Sequence, residues 1–94
     1  MPKVLLDGRS WVSRDDFYEA LLTALGAPSW HGRNLDALEE TLRSGSTNAL
    51  NPPLEIAISG MESMSGEART TVHRFNELVN HLRAAHIDIS LQLR

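Results

Sequence analysis

The stretch Ala68-Arg69-Thr70-Thr71-Val72-His73-Arg74-Phe75-Asn76-Glu77-Leu78-Val79-Asn80-His81-Leu82-Arg83-Ala84-Ala85-His86-Ile87-Asp88-Ile89-Ser90-Leu91-Gln92-Leu93 decides the fold, because its hydrophobic spacing changes part-way along. Ala68, Val72, Phe75, Val79 and Leu82 recur at alternating spacings of four and three, which lays one apolar stripe along a helix. From His86 the spacing falls to two: Ile87, Ile89, Leu91 and Leu93 alternate with polar residues, as on a strand with one buried face.

Working back toward the N-terminus, Leu54 to Ser59 reads as a strand, and Gly60 to Gly66 as a connection with room for one helical turn. Lys3 to Leu6 is a further short apolar strand, stopped by the turn dipeptide Asp7-Gly8. Ser13 with Asp16 three positions on is close to a capping box, and Phe17, Leu21, Ala24 and Leu25 then keep helical spacing up to Gly26, which suits a left-handed cap. Pro28 stops that helix from resuming. A loop from Ala27 to Arg33 leads to Asn34, an N-cap residue for a second helix running to about Arg43, and Ser44 to Pro53 is irregular. Each strand is thus separated from the next by at least one helix, the connection that parallel strands require. The expected fold is α/β: a small three-stranded parallel sheet with the first and last helices on one face and the second helix mostly at the surface.

With 94 residues and no internal repeat, the chain suits a single domain, residues 1–94, with one hydrophobic core. Its 41% hydrophobic and 22% charged content separates it from disordered sequences. There is no cysteine, so stability rests on the core alone, as suits a reducing cytoplasm. The opening residues lack the apolar run of a signal peptide or membrane span. That absence leaves no expected membrane attachment, and a net charge of -3 gives no general attraction to phosphate backbones, so direct nucleic-acid binding is not expected either. Nothing in the sequence calls for a cofactor, and oligomeric state is not legible in it.

The segment with functional content is Trp30-His31-Gly32-Arg33-Asn34-Leu35-Asp36-Ala37-Leu38-Glu39-Glu40-Thr41-Leu42. It sets a loop aromatic directly before a capped helix whose first two turns carry acids. Asp36, Glu40 and Arg43 follow one face, Glu39 lies beside them, and Leu35, Leu38 and Leu42 form the opposite, buried stripe. Like charges at this spacing cost an isolated helix about 0.2–0.5 kcal/mol per pair, only partly offset for Asp36 by the helix dipole. Helix stability therefore does not demand three acids here. Carboxylates held on a rigid helix can present the charge pattern of consecutive phosphates to a site lined by Arg, Lys and His. The plainer reading is an ordinary solvated acidic face, and Trp30 is either a core plug or an exposed anchor of the kind enriched at interfaces.

This run, with Gly32, Asn34-Leu35-Asp36-Ala37-Leu38 and the acid at Glu40, resembles the inhibitory loop and helix of the barstar family. The likeness extends more weakly over nearly the whole chain, through the strand ending in Asp7-Gly8, the helix before Ala27-Pro28, the Phe75 helix and the final strand. The resemblance implies a barstar-like fold and a cytoplasmic protein that blocks the active site of an extracellular-type guanyl ribonuclease before export. By the same match Trp30 stands at an interfacial aromatic, and His31 and Gly32 complete the contact loop. Asn34 and Asp36 stand at contact positions, and Glu40 at the acid that enters the enzyme's phosphate site. An aspartate at that matched position in barstar is itself the standard extreme example of a binding hot spot, so the weight on Glu40 is inherited from the resemblance. The chain also departs from the pattern. Glu39 replaces an aromatic, Glu40 is longer than the usual Asp, and Arg43-Ser44-Gly45 replaces a Thr-Gly-Trp stretch that touches the enzyme. Glu77 matches a further contact acid on the last helix by the resemblance, but about one extra helical turn separates Phe75 from the last strand, so that assignment depends on where the insertion falls.

Two other readings stay open: an immunity protein for a different toxin, and a small hydrolytic enzyme using His31 as general base with Asp36 or Glu40. No phosphate loop, nucleophile elbow or two-histidine metal spacing supports the second, and His73, His81 and His86 read as exposed. Met61 and Met64 read as gap-fillers, and Trp11 as a partly buried residue before the first helix.

Overall fold

The computed structural model describes residues 1–94 and contains β1 (Lys3–Asp7), α1 (Arg14–Leu25), α2 (Leu35–Ser44), β2 (Leu54–Ser59), α3 (Gly66–Ala84) and β3 (Ile89–Leu93). The strands form one parallel sheet in the order β1-β2-β3, with Val4 level with Ile56 and Ile56 level with Leu91. This is the α/β architecture expected from the alternation of strands and helices.

Alternation along the strands gives the sheet two unlike faces. Val4, Ile56, Ile58 and Ile89 are buried against the helices, whereas Lys3, Leu5, Asp7, Glu55 and Gln92 point to the other side and are exposed. The core is completed by Phe17, Leu21 and Leu25 of α1, Leu38 and Leu42 of α2, and Val72, Phe75, Val79 and Leu82 of α3. Phe17 sits at the junction, 5.3 Å from Phe75 and 6.0 Å from Trp11 between ring centroids, distances at which aromatic pairs attract. Trp11 is therefore a core residue rather than a partly buried one: it is 7% exposed, in a turn closed by its N–H donating to the Gly8 carbonyl at 3.1 Å, with its indole packed against Gly8. Met61 and Met64 are buried in the same cluster.

The helix ends follow their local chemistry. Ser13 Oγ accepts from the Asp16 N–H at 3.2 Å, and the Asp16 carboxylate accepts from the backbone N–H groups of Val12 and Ser13 at 2.9 and 3.0 Å. Those two donors hold the Asp16 carboxyl below its usual range. Gly26 takes the left-handed conformation at the C-cap of α1, at φ 65°. In the Gly60–Gly66 connection, the N–H groups of Ser63 and Met64 both donate to the Gly60 carbonyl, so it contains a single turn. The last strand begins at Ile89, not at His86. α3 ends without a glycine, His86 itself adopts φ 68°, and the N–H groups of His86 and Ile87 return to the carbonyls of Arg83 and Leu82. Those two residues close the helix and cannot pair with β2. No helix is long and apolar enough to cross a membrane.

Candidate functional site: the Trp30 loop and the acidic face of α2

Asn34 starts α2 from an extended backbone, and its Oδ1 accepts from the Ala37 N–H at 2.7 Å. Gly32 lies tight beneath this cap: a Cβ there would stand 3.0 Å from Asn34 Nδ2 and 3.2 Å from Ala37 Cβ, so a larger residue would require the cap side chain and Ala37 to give by a few tenths of an ångström. At the other end Gly45 caps the helix in the left-handed region, at φ 67°. Between these caps Leu38 and Leu42 are fully buried and Leu35 half-buried, which fixes the rotation of the helix and with it the direction of every polar side chain.

At about 100° per residue, the circumference of α2 divides into three polar sectors outside the leucine stripe. Asp36 and Glu40 occupy the middle sector, one turn apart; both are exposed, and neither pairs with a basic side chain of this chain. On one side Glu39 is turned toward α3, where its Oε2 lies 3.1 Å from Arg43 Nε and 3.8 Å from His81 Nε2. On the other side Ala37, Thr41 and Ser44 face the Trp30 loop.

That loop is fastened at several points. The Arg33 guanidinium pairs with Glu19 of α1. The His31 N–H donates to the Pro28 carbonyl at 3.0 Å. His31 is 6% exposed, and its ring has Nδ1 2.8 Å from the Gly32 carbonyl and Nε2 2.9 Å from Thr41 Oγ1. Trp30, next in sequence, is 74% exposed and is the most exposed large hydrophobic residue of the chain. Between loop and helix lies a cleft of about 200 Å³, lined by Trp30, His31, Gly32, Ala37, Glu40 and Thr41 together with the hydroxyl-bearing Ser44, Ser46 and Thr47.

Of the residues singled out in the sequence, Trp30, His31, Gly32 and Glu40 thus come together on one cleft, with Asn34 and Asp36 at the helix start beside it. Glu39 and Arg43 are drawn into an internal pair facing α3. Glu77 is exposed on α3 one turn before His81, on the face where α3 meets Glu39, and it makes no ion pair. Both ring nitrogens of His31 are taken up by Gly32 and Thr41, so His31 is not coupled to Asp36 or Glu40 as a general base would be. Sequence reasoning missed Thr41, which is only 8% exposed, and the hydroxyls of Ser44, Ser46 and Thr47. The available signal was position 41 itself, which adjoins Leu42 at the edge of the buried stripe.

Compared with known families, residues 1–93 match the family model described as Barstar (barnase inhibitor). No curated protein matches the chain.

Proposed function

The chain belongs to the barstar family, and on that footing we propose that it inhibits a secreted guanyl-type ribonuclease by setting the acidic face of α2 and the Trp30 loop into the enzyme's cationic active site. Asp36 and Glu40 are the observation that carries this reading: two carboxylates one turn apart, exposed on a rigid capped helix and unpaired within the chain. A ribonuclease must bind successive phosphates, so its site offers Arg, Lys and His side chains at spacings these carboxylates can meet. Trp30 supplies apolar area beside the charges, the combination that hot spots favour. The protein acts in the cytoplasm on the enzyme before export, protecting the RNA of the cell that makes both.

A second reading is favoured by one observation. Glu39 and Arg43, which stand where the family pattern has residues that touch the enzyme, are spent on each other and on His81. The target is then a different ribonuclease-type toxin whose surface does not need those contacts, and the protein serves as its immunity partner.

The test is RNA cleavage by a panel of guanyl-type ribonucleases and toxin nucleases, with and without the purified protein, at low and high salt. Stoichiometric inhibition of at least one enzyme, weakened by salt, is the expected result. Unchanged cleavage by every enzyme of the panel contradicts the proposal, and inhibition confined to the toxin nucleases selects the second reading.

A further inference from the structure

The buried histidine beside the cleft has a hydrogen-bond pattern that admits one neutral form. A carbonyl oxygen only accepts, so the 2.8 Å contact between His31 Nδ1 and the Gly32 carbonyl places the ring hydrogen on Nδ1. In the neutral ring Nε2 is then an acceptor, and Thr41 Oγ1, 2.9 Å away, is the donor. The carbonyls of Ala37 and Leu38, 3.1 and 3.3 Å away, compete for the single hydrogen of that hydroxyl through the back-bonding open to any helical threonine, and Nε2 is the nearest of the three acceptors. Directed at His31, it joins a loop and a helix separated by ten residues of sequence.

We propose that His31 and Thr41 are positioning residues: in its Nδ1–H form the imidazole ties the Gly32 carbonyl to the Thr41 hydroxyl, locking the Trp30 loop onto α2 at the wall of the cleft shared with Glu40. The position of the lock gives it leverage. His31 is flanked by Trp30, exposed for contact, and by Gly32, packed under the helix cap, so freeing the ring releases both neighbours. Because Thr41 follows Glu40 directly, the same bond sets the distance between the aromatic and the acid. A preordered loop spares the entropy of ordering it during association, which is where affinity is gained. This functional consequence rests on the ribonuclease-binding reading above; the lock itself does not.

The experiment therefore has two arms. In the free protein, ¹⁵N–¹H spectra of the His31 ring report its tautomer, and amide exchange reports loop order. The expected result is a ring that carries its hydrogen on Nδ1, with Nε2 accepting from Thr41. Thr41→Val and His31→Asn should speed exchange of the His31 amide by about tenfold, while Thr41→Ser stays near wild type and the amides of β2 keep their protection. An Nε2–H ring, or loop exchange unaltered by both variants, overturns the lock whether or not a partner is known. In the second arm, against a ribonuclease that the wild-type protein inhibits, Thr41→Val should weaken inhibition by about fivefold to tenfold and Thr41→Ser should restore it. Undiminished inhibition by Thr41→Val overturns the positioning role. Failure of the wild-type protein to inhibit any ribonuclease instead refutes the proposed function and leaves the first arm to decide the lock.

Discussion

Glu39 and Glu40 are neighbours in sequence with different surroundings. Glu39 is half-buried between Arg43 and His81, whereas Glu40 projects to solvent at the mouth of the Trp30 cleft. Glu40→Ala is expected to cost at least about 2 kcal/mol of binding to the target ribonuclease, the threshold of a hot spot. Its urea midpoint should move by less than about 0.5 kcal/mol in stability, since no intramolecular partner is lost. Glu39→Ala should do the reverse, removing an i, i+4 pair worth about 0.3–0.5 kcal/mol of stability; calorimetric titration beside chemical denaturation separates the two effects. Asp16, in the capping box of α1, governs a separate pH dependence. Its folded-state pKa is lowered from 3.8 by the Val12 and Ser13 N–H donors, so its contribution to stability is full above the unfolded value. It is lost as pH falls through the lowered folded value. Urea midpoints measured between about pH 5 and pH 2 should fall less in Asp16→Ala than in wild type.

Among the elements, α2 is short and owes its orientation to its caps and its leucines. Asn34→Ala removes the bond to the Ala37 N–H and should cost about 1 kcal/mol, read from the unfolding midpoint, with a larger loss in inhibition because the cap also sets Gly32 and Asp36. Most of this was legible in the sequence: Asn34, Ser13 and Gly26 mark helix ends by chemistry that operates over a few residues, whereas the C-cap at Gly45 was read only as part of an irregular connection. Where the determinants were non-local, the reading fell short. The alternation of Ile87, Ile89, Leu91 and Leu93 implied a strand from His86, but His86 adopts a left-handed backbone that glycine normally signals, and Ile87 is consumed in closing α3. Trp11 looked half-exposed because nothing near it in sequence shows that Phe17 and Met64 close over it. The Thr41–His31 bond was invisible for the same reason, as it spans ten residues and two elements.

At the scale of the whole molecule, the sheet carries helices on one face and leaves the other open, with Leu5 67% exposed. Stability should be correspondingly one-sided. Leu38→Ala is expected to cost about 2–5 kcal/mol, whereas Leu5→Ser should stay within about 0.5 kcal/mol of wild type. The fold thus provides a core that sets the rotation of α2, and the inhibition proposed above draws on what α2 and the Trp30 loop then display. With a net charge of only -3, the proposed inhibition relies for its steering on the local field of Asp36 and Glu40. The most direct measurement of that claim is steady-state inhibition of a target ribonuclease over a range of RNA concentrations, for wild type and Glu40→Ala. The account predicts that RNA competes with the protein, raising the apparent inhibition constant in proportion to substrate, and that Glu40→Ala inhibits at least about thirtyfold more weakly with the same competitive pattern. Inhibition indifferent to RNA concentration, or equally strong in the variant, would contradict it.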